Sequence, residues 1–389
     1  MKTFNIILIS FILASFLCPC SCSGEEPVRK PIDIPPVSGD GPDGKDEFRY
    51  VYRQGESGFE VYRIPATVKT VKGTLLAFAE ARRSRINGDT GDIDMVVKRS
   101  SDDGKTWSKM TTVWDDGDNT CGNPVPIVDD KGNVHLLMCW NYKTDKWGTI
   151  TAGSGVDTRR VYYTCSKDDG LTWDKPVEIT SSVKDASWLW YGTGPCHGIQ
   201  ISDGPYKGRL VSPDYHTTLL GGKSISWSHI IYSDDYGKTW KRGGTVPESG
   251  VGECSVAALP DGRLVLNMRA SDGYFRKQSF SDDGGLTWTK PVPAQDQIDC
   301  KCQGSIIASG TSLLLSNAAS ASERVCMTVS KSVDGGVSWT ARYLVYPGKS
   351  GYSDLVMLSD TQVAVFYEGG AKRYTDGLDF KIIDLKDII

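Results

Sequence analysis

The amino-acid sequence predicts an all-β protein, a six-bladed β-propeller, and two repeated patterns in the chain support this prediction. One pattern is an eight-residue turn with the frame Ser-x-Asp-x-Gly-x-Thr/Ser-Trp, which occurs five times. The other is a turn followed by an apolar strand, which occurs six times and alternates with the first. Glycine (42 residues) and aromatic residues (10%) are abundant, as many short strands joined by tight turns require.

The residues of the eight-residue turns, called here the Ser-Asp turns, are those that stabilise a tight loop. They end at Trp107, Trp173, Trp240, Trp288 and Trp339. Ser and Asp side chains accept hydrogen bonds from backbone N–H groups in a tight loop, and Gly supplies a positive φ. The Trp then covers apolar surface as the outgoing strand begins. Each turn follows a β-rich run and therefore marks a hairpin, so we expect no catalytic residue within it.

The second pattern completes a four-stranded unit. Its copies begin at Lys72, Lys131, Lys207, Asp261, Ser309 and Ser359. Six units over residues 48–389 contain roughly 57 residues each, which is the size of a propeller blade. A single blade cannot bury both of its faces, so the ring is expected to close on itself. We expect a strand from the C-terminus to complete the ring.

The N-terminus has the features of an export signal. Lys2 precedes an apolar stretch, residues 4–17, which is too short to span a bilayer comfortably and is typical of a secretory signal peptide. Three cysteines crowd its end, and Cys22, with Ser21 before it and acidic residues after it, resembles the lipidated cysteine of bacterial lipoproteins. The sequence therefore predicts a signal peptide at 1–22 and lipidation at Cys22. Cleavage by an ordinary signal peptidase, giving a secreted or periplasmic protein, is the alternative.

The segment after the predicted anchor differs in composition from the rest of the chain. Residues 23–47 are rich in Pro and Gly and are expected to be a flexible tether between the anchor and a folded domain at 48–389. The protein is therefore expected to be a cell-envelope lipoprotein that faces either the periplasm or the surface, with the lipid as its one link to a membrane.

The net charge of −4 at pH 7 excludes a strongly basic nucleic-acid-binding protein, so no nucleic-acid partner is expected.

Eight cysteines follow the predicted anchor. They are Cys121, Cys139, Cys165, Cys196, Cys254, Cys300, Cys302 and Cys326. Several lie in apolar strand patterns, where we expect buried free thiols, although an exported protein could pair them. Neither the cysteines nor the four histidines have metal-ligand spacing, so the sequence predicts no catalytic metal. No cofactor is expected for the function considered below.

The predicted topology separates structural turns from functional loops. In a four-stranded meander, the turns of the second pattern and the Ser-Asp turns lie at one end, and the remaining connections lie at the other. Loops at one face of a ring usually carry function. The polar residues on those connections are Arg63, Arg82, Asp89, Glu253, Arg269, Arg324 and Tyr352. A single arginine there is most simply a solvated charge, but seven such residues on one face indicate a site.

Motifs in chain order resemble the exo-sialidase (neuraminidase) family of the bacterial and animal type. They are YRIP, FAEAR, the Ser-Asp turns (the Asp boxes of that family), GECSV, LNMR, CQGS and YSDL. The resemblance covers nearly everything after the tether. It implies a six-bladed propeller, in agreement with the repeat count. It also implies a retaining exo-α-sialidase that removes terminal sialic acid from sialylated glycoproteins, glycolipids and oligosaccharides.

The resemblance implies roles for five of these residues. Arg63, Arg269 and Arg324 match the arginines that clamp the substrate carboxylate, a group that guanidinium binds in a bidentate fork. Tyr352 matches the family's nucleophile, since sialidases are an exception to the carboxylate nucleophile of most glycosidases. Glu253 matches the base that activates this tyrosine.

Two further positions follow from the family pattern. Asp89 is expected to be the general acid and base, since it lies in a Gly-flanked loop. Asp92 and Asp94 lie close to it, and Asp94, directly before a strand, is expected to be structural. Arg82 matches an arginine near the 4-hydroxyl of the sugar.

Subsite residues are expected among polar and aromatic side chains elsewhere. Tyr215 is expected on the side of the glycerol chain, and Gln303 is expected to contact the sugar or to brace Glu253. Trp188 and Trp190 could stack on an aglycone sugar, with buried packing expected for at least one of them.

The sequence is compatible with three alternative functions. The substrate could be a related nonulosonic acid that lacks the N-acetyl group, or the enzyme could transfer sialic acid to a sugar. The protein could also be a sialic-acid-binding propeller without activity. The presence of Asp89, Glu253 and Tyr352 together argues against the last, because a lectin does not need all three.

Overall fold

The computed structural model describes residues 48–86 and 88–389, and the predicted signal peptide, the Cys22 anchor and the tether lie outside this part of the chain. Its secondary structure is almost entirely β-strand, which confirms the all-β class. The short helical segments are α1 (Trp147–Thr151), α2 (Thr180–Val183) and two 3-10 turns at Glu56–Gly58 and Leu385–Asp387. None of the described helices has the length and apolar character needed to cross a membrane.

Consecutive strands pair antiparallel into four-stranded units, as the repeats predict. The described chain begins with β1 (Tyr50–Arg53). The next unit contains β2 (Val61–Lys69), β3 (Leu75–Arg82), β4 (Ile93–Ser100) and β5 (Thr111–Trp114). The following unit contains β6 (Thr120–Val128), β7 (Val134–Asn141), β8 (Arg160–Ser166) and β9 (Val177–Glu178).

The later units repeat this order with small variations. One contains β10 (Tyr191–Thr193), β11 (Ile199–Gln200), β12 (Leu210–Leu220), β13 (Lys223–Ser233) and β14 (Lys241–Thr245), where β10 and β11 both pair with β12. The next contains β15 (Val251–Ala258), β16 (Leu264–Ala270), β17 (Phe275–Ser281) and β18 (Val292–Ile298). The last strands are β19 (Ser305–Ser309), β20 (Ser312–Ala318), β21 (Val325–Ser332), the long β22 (Ala341–Ser359), β23 (Gln362–Gly370) and β24 (Gly377–Asp384).

The first and last units meet. The first half of β22 pairs with β21 and its second half pairs with β23, so this strand belongs to two units. Inner strands contact one another in chain order, from β2 through β6, β12, β15 and β19 to β22, and β22 contacts β2. The outer strand of the last unit is β1, which pairs with β24. The expectation that a C-terminal strand closes the ring is therefore wrong, because β24 is the third strand of its unit and a 3-10 turn follows it.

The Ser-Asp turns close as their sequence predicts. In the first, Ser100 Oγ donates to Asp102 Oδ1 at 2.7 Å and accepts the N–H of Gly104 at 2.9 Å. Asp102 also accepts the backbone N–H and the hydroxyl of Thr106, at 2.9 and 2.6 Å. The four other turns repeat these bonds. Gly104 has a φ of 85°, the left-handed region that favours glycine.

A buried carboxylate ties the inner strands together. Asp354, fully buried in β22, accepts the backbone N–H groups of Thr67 and His197 at 2.8 and 2.9 Å. It also accepts the hydroxyl of Ser305 at 2.7 Å. These partners come from segments far apart in the chain. A buried carboxylate needs such partners to offset its desolvation, and together they fix the position of the YSDL segment.

The eight cysteines between Cys121 and Cys326 are free thiols. Six are buried, and Cys300 and Cys326 are half-buried. The expectation of buried free thiols is therefore confirmed for most of them.

Candidate active site

Backbone irregularities in three inner strands aim predicted site residues towards a common region. The pairing register shifts just after Arg63 in β2, around Glu253 in β15 and around Tyr352 in β22. A β-bulge of this kind bends the strand and turns a side chain away from the regular alternation of faces. The three bulges lie at the end opposite the Ser-Asp turns, as the topology predicts.

Tyr352, Glu253 and Arg269 form a connected group. The Tyr352 hydroxyl donates to Glu253 Oε1 at 2.5 Å. Arg269 Nη1 donates to Glu253 Oε2 at 2.6 Å and to the Tyr352 hydroxyl oxygen at 3.2 Å. The phenol therefore has a carboxylate within proton-transfer distance and a guanidinium beside its oxygen, an arrangement suited to an activated nucleophile.

The free site holds Tyr352 as a neutral phenol. Burial, followed by the negative charge of Glu253, raises the pKa of Tyr352 well above its ordinary value, while Arg269 and Arg324 oppose the increase. Ionisation of this tyrosine therefore requires transfer of its proton to a base at the moment of reaction.

The other two predicted arginines lie over the Tyr352 ring. The guanidinium carbons of Arg63 and Arg324 are each 5.1 Å from its centroid. Both also lie near the ring of Tyr374, at 5.5 and 5.0 Å. Cations at these distances are attracted to the ring faces. All three arginines predicted to clamp a carboxylate are thus brought together around Tyr352.

Glu368, at the end of β23, positions both Arg63 and Tyr352. Arg63 donates to it through Nε at 2.9 Å and through Nη2 at 3.0 Å, a bidentate pair. Glu368 also accepts the backbone N–H groups of Ile64 and Tyr352, both at 3.1 Å. Glu368 was not among the site residues predicted from the sequence. The sequence feature that could have identified it is a glutamate that ends the apolar run AVFYE, because a charged residue in an apolar strand needs a buried partner.

Arg82 holds Asp89 at the edge of the site. Arg82 is buried, and its guanidinium donates to Glu80 Oε2 at 2.9 and 2.5 Å. It also donates to the Gly88 carbonyl at 2.6 Å and to Asp89 Oδ1 at 2.8 Å. Glu80 in turn accepts the N–H of Asn123 at 2.8 Å. Asp89 therefore lies on a loop that a buried ion pair anchors.

Positive charge governs the ionisation of Asp89. The surrounding protein atoms partly desolvate the carboxyl, which acts to raise its pKa even though the side chain reaches solvent, but the charges of Arg82, Arg63 and Arg159 outweigh this effect and lower the pKa to about 2. Asp89 is accordingly ionised at neutral pH. More than half of its side-chain surface (56%) is exposed, so a ligand can reach it.

The two neighbouring aspartates face a different arginine. Asp92 and Asp94 lie 3.6 and 3.7 Å from the guanidinium of Arg83, the residue after Arg82 in the chain. Asp94 is buried, and burial together with the charges of Asp115 and Asp92 raises its pKa to about 7. This geometry favours Asp89 over both as the residue that meets a ligand.

Tyr215 lies in a buried aromatic and cationic group. Its hydroxyl accepts the indole N–H of Trp190 at 3.1 Å, and the Trp190 ring lies 4.0 Å from the guanidinium carbon of Arg159. Trp190 is buried, as expected for one of the two tryptophans, and Trp188 stacks on His216 with ring centroids 3.5 Å apart. Arg159 was not among the predicted site residues, because no motif surrounds it.

Gln303 lies beneath the site. Its amide nitrogen donates to the Pro195 and Ser353 carbonyls at 2.8 and 3.0 Å, and its amide oxygen accepts the Ser353 N–H at 3.0 Å. Gln303 is buried, and it braces the chain next to Tyr352. A contact with Glu253 is not among its bonds in the described chain, and a contact with a sugar stays a prediction.

A cavity of about 660 Å³ opens beside the predicted arginines. Its wall includes Arg63, Arg82, Arg324, Gly88 and Tyr374. The volume lies in the range typical of ligand pockets. In the described part of the chain, no cluster of three or more His, Cys, Asp or Glu residues is arranged to hold a metal ion. The site residues present guanidinium cations, a phenol and the carboxylates of Asp89, Glu253 and Glu368.

Known proteins resemble this chain in sequence. Residues 73–365 match the family described as a BNR repeat-like domain. A sialidase of Bacteroides fragilis is 32% identical over 87% of this chain and 65% of its own length. An exo-alpha-sialidase of Aspergillus fumigatus is 32% identical over 84% of this chain and 78% of its own. The chain belongs to the sialidase family.

A solved structure extends the likeness to three dimensions. A Hadza microbial sialidase shares 30% identity with this chain at a TM-score of 0.79, covering 87% of this chain and 69% of the other. The chain spans less than two thirds of the length of the Bacteroides relative.

Proposed function

We propose that this protein is a retaining exo-α-sialidase that removes terminal sialic acid from glycoconjugates. One observation carries the proposal, namely that Arg63, Arg269 and Arg324 converge on Tyr352 while its hydroxyl donates to Glu253. The cluster combines a receptor for an anion with a nucleophile beside its base. The membership of the sialidase family supports the assignment of this anion as the carboxylate of sialic acid.

The three arginines suit a carboxylate held close to the reacting carbon. Guanidinium remains charged at every physiological pH and bonds carboxylate oxygens in a planar fork. Arg63 is fixed by Glu368 and Arg269 by Glu253, so both guanidinium groups are ordered before a ligand arrives. Preorganised charge lowers the cost of binding and orients the anomeric carbon above Tyr352.

A tyrosine nucleophile fits the charge of this substrate. Sialic acid bears a carboxylate on its anomeric carbon, and a carboxylate nucleophile would meet electrostatic repulsion there. The neutral Tyr352 avoids this repulsion. As its oxygen bonds to the anomeric carbon, its proton passes to Glu253 Oε1, 2.5 Å away, and the glycosidic bond breaks. Arg269, 3.2 Å from the phenol oxygen, stabilises the developing negative charge.

Asp89 is proposed to protonate the departing oxygen and then to activate water. A pKa of about 2 in the free site is too low for an acid at neutral pH. The substrate carboxylate removes this obstacle, because it neutralises part of the positive field that lowers the pKa. After the aglycone leaves, Asp89 takes a proton from water, which attacks the anomeric carbon. Tyr352 then recovers its proton from Glu253, and two displacements give retention of configuration.

We infer a six-bladed propeller as the fold that supports this site. Each inner strand contacts the next, and β22 contacts β2, as a closed ring requires. The pairing of β1 with β24 provides the last unit with its outer strand. Grouping the strands into fours around such a ring supports six blades.

The location rests on the sequence alone. We infer export through the signal peptide at 1–22 and lipidation at Cys22, with residues 23–47 as the tether of the domain at 48–389. Metabolic labelling with a palmitate analogue tests this inference. Label should enter the wild-type protein and be absent from Cys22→Ala, and label retained in that variant would contradict it.

Hydrolysis of a fluorogenic aryl α-sialoside tests the proposed function. Tyr352→Phe should lose at least about 10³-fold in kcat with an unchanged melting temperature. Tyr206→Phe is the matched control, because its ring packs beside a Ser-Asp turn at Gly284, at the opposite end. NMR detection of the first anomer released tests retention, and normal turnover by Tyr352→Phe would overturn the mechanism.

The same assay separates the open alternatives. Sialoside binding without turnover by the wild-type protein would favour a lectin. Faster release from an aryl glycoside of a nonulosonic acid that lacks the N-acetyl group would reassign the substrate. Sialyl products on added lactose would indicate transfer.

A further inference from the structure

The cavity beside the site contains more positive charge than one carboxylate needs. Besides the site residues Arg63, Arg82 and Arg324, its wall contains a second set of cations, called here the basic rim. The basic rim consists of Arg85, Lys349, Lys372 and Arg373. Glu323 is the one acidic residue of the wall within the described chain. A cavity with such an excess of one charge favours an anionic ligand.

The basic rim is only partly neutralised by the protein. Lys349 pairs with Glu323 at 2.8 Å. Arg85 donates to the neutral side-chain oxygen of Gln54 at 2.7 Å. The side chains of Lys372 and Arg373 are exposed and form no hydrogen bond or ion pair with the described residues. Two cations of the rim are therefore available to a ligand.

An ordered turn presents these two cations. Asp376 Oδ2 accepts the backbone N–H groups of Lys372 and Arg373 at 2.9 and 3.0 Å. The Asp376 carbonyl accepts the N–H of Gln54 at 3.1 Å, which fastens the turn to the chain after β1. These bonds use the backbone, so replacing the two basic side chains leaves the turn intact.

The turn continues directly into the site. Tyr374 follows Arg373, and its ring centroid lies 5.0 Å from the Arg324 guanidinium carbon and 5.5 Å from that of Arg63. The basic rim, Tyr374 and two arginines of the proposed carboxylate clamp, Arg63 and Arg324, thus line the same cavity. A sialic acid held by the clamp would therefore have the rim in the wall of the same cavity.

We propose that the basic rim binds a second negative charge on the glycan, borne by the sugar next to the sialic acid that is cleaved. The proposal rests on the proposed function. The chemistry of this second group is a carboxylate or a sulfate, since both accept hydrogen bonds from Lys and Arg. The preferred substrates are therefore glycans with two acidic groups, such as an α2-8-linked disialyl unit or a sulfated sialyl unit.

Two double variants of the full-length chain test the proposal. Lys372→Gln with Arg373→Gln removes the two available charges, and Lys105→Gln with Lys109→Gln removes two exposed charges at the opposite end. Each protein is assayed with sialyllactose, α2-8 disialyllactose, a sulfated sialyllactose and an aryl sialoside. Loss of the rim charges should lower kcat/KM about fivefold on a diacidic glycan and leave the aryl sialoside unchanged. The effect should decrease as salt is raised.

The four substrates make the outcomes distinct. A selective loss on disialyllactose identifies a carboxylate as the ligand, and a selective loss on the sulfated glycan identifies a sulfate. An equal loss on all four substrates would overturn the proposal, because the rim would then only add to the general field. Unchanged kinetics would overturn it as well. Absence of turnover by the wild-type protein on every sialoside would instead refute the proposed function.

Discussion

The Tyr352 hydroxyl and Glu253 Oε1 are 2.5 Å apart, although the two residues are separated by 99 positions in the chain. The bond joins β22 to β15, and Arg269 fixes the second oxygen of the same carboxylate. Glu253 is thus oriented by one partner while it receives a proton from the other. The two tasks of Glu253, orientation and proton acceptance, can therefore be separated by substitution.

Glu253→Gln should lower kcat by about 10²- to 10⁴-fold. An amide can still accept the hydrogen bond from Arg269, but it cannot take the phenol proton. The enzyme should therefore bind substrate and fail to activate Tyr352. Steady-state kinetics with an aryl sialoside, accompanied by a thermal unfolding curve, measure both effects.

Glu253→Asp provides the comparison, because it keeps the charge and shortens the reach to the phenol. It should retain more activity than Glu253→Gln. Equal kcat values for the wild type and Glu253→Gln would remove Glu253 from the proposed mechanism.

Glu368→Gln should destabilise the fold and weaken substrate binding together. The change removes one partner of the bidentate pair with Arg63 and weakens the bond to the Tyr352 N–H. Leaving a largely buried charge without its partner costs about 3 kcal/mol. Urea unfolding should report this loss, and KM should rise because Arg63 is no longer held in place.

A surface pair provides the control for this change. Glu248→Gln breaks an exposed ion pair with Lys290 and should alter stability by less than about 1 kcal/mol. Similar losses in the two variants would indicate that Glu368 is no more important than a surface charge.

Repetition made most of the fold predictable. The Ser-Asp turns place serine, aspartate and glycine at fixed spacing, and local chemistry suffices to close each of them. The ends of the strands follow from these turns, and with them the face that contains the site. The closing strand was not predictable, since β1 pairs with β24 across about 330 residues without a local signal.

The site was predictable where a motif marked it and not where a single buried charge acts. Arg63 and Tyr352 lie in short motifs, whereas Glu368 and Arg159 are recognised only through partners that the fold brings to them. The bulges that turn Glu253 and Tyr352 into the site also have no reliable sequence signal. Gln303 shows the reverse case, since its motif was noticed but its bonds are with the backbone.

Asp89→Asn should affect substrates according to their leaving group. A natural glycoside needs a proton on the departing oxygen, whereas an aryl oxygen with a low pKa leaves without one. The variant should therefore lose about 10²-fold or more in kcat/KM on sialyllactose and much less on an aryl sialoside with a good leaving group. Kinetics on the two substrates, expressed as a ratio, measure this difference.

Asp92→Asn is the matched variant in the same loop, because Asp92 faces Arg83 rather than Arg82. It should change both substrates little. A larger leaving-group effect in Asp92→Asn than in Asp89→Asn would transfer the acid role to Asp92.

The Ser-Asp turns should contribute to stability in a pH-dependent way. In the second turn, hydrogen bonds to the carboxylate lower the pKa of Asp168 to about 2. The Thr172 hydroxyl has the largest effect, the Thr172 backbone N–H and the Ser166 hydroxyl add to it, and together they outweigh the slight desolvation of the carboxyl. The pKa in the folded state is thus below that of an unfolded aspartate, about 3.9. The stabilisation is complete above pH 3.9 and is lost as the pH falls through 2.

Asp168→Asn should therefore destabilise the protein by about 1 kcal/mol at pH 7, the usual value of a lost hydrogen bond. The difference from wild type should shrink between pH 4 and pH 2. Asp174→Asn is the control, since among residues 48–86 and 88–389 the side chain of Asp174 pairs with the exposed Lys167 alone. Urea unfolding at several pH values measures the free energy of unfolding of each protein. Both variants should keep full activity on an aryl sialoside, because the turns lie at the end opposite Tyr352, and a loss of activity in Asp168→Asn alone would show that the turn is coupled to the site.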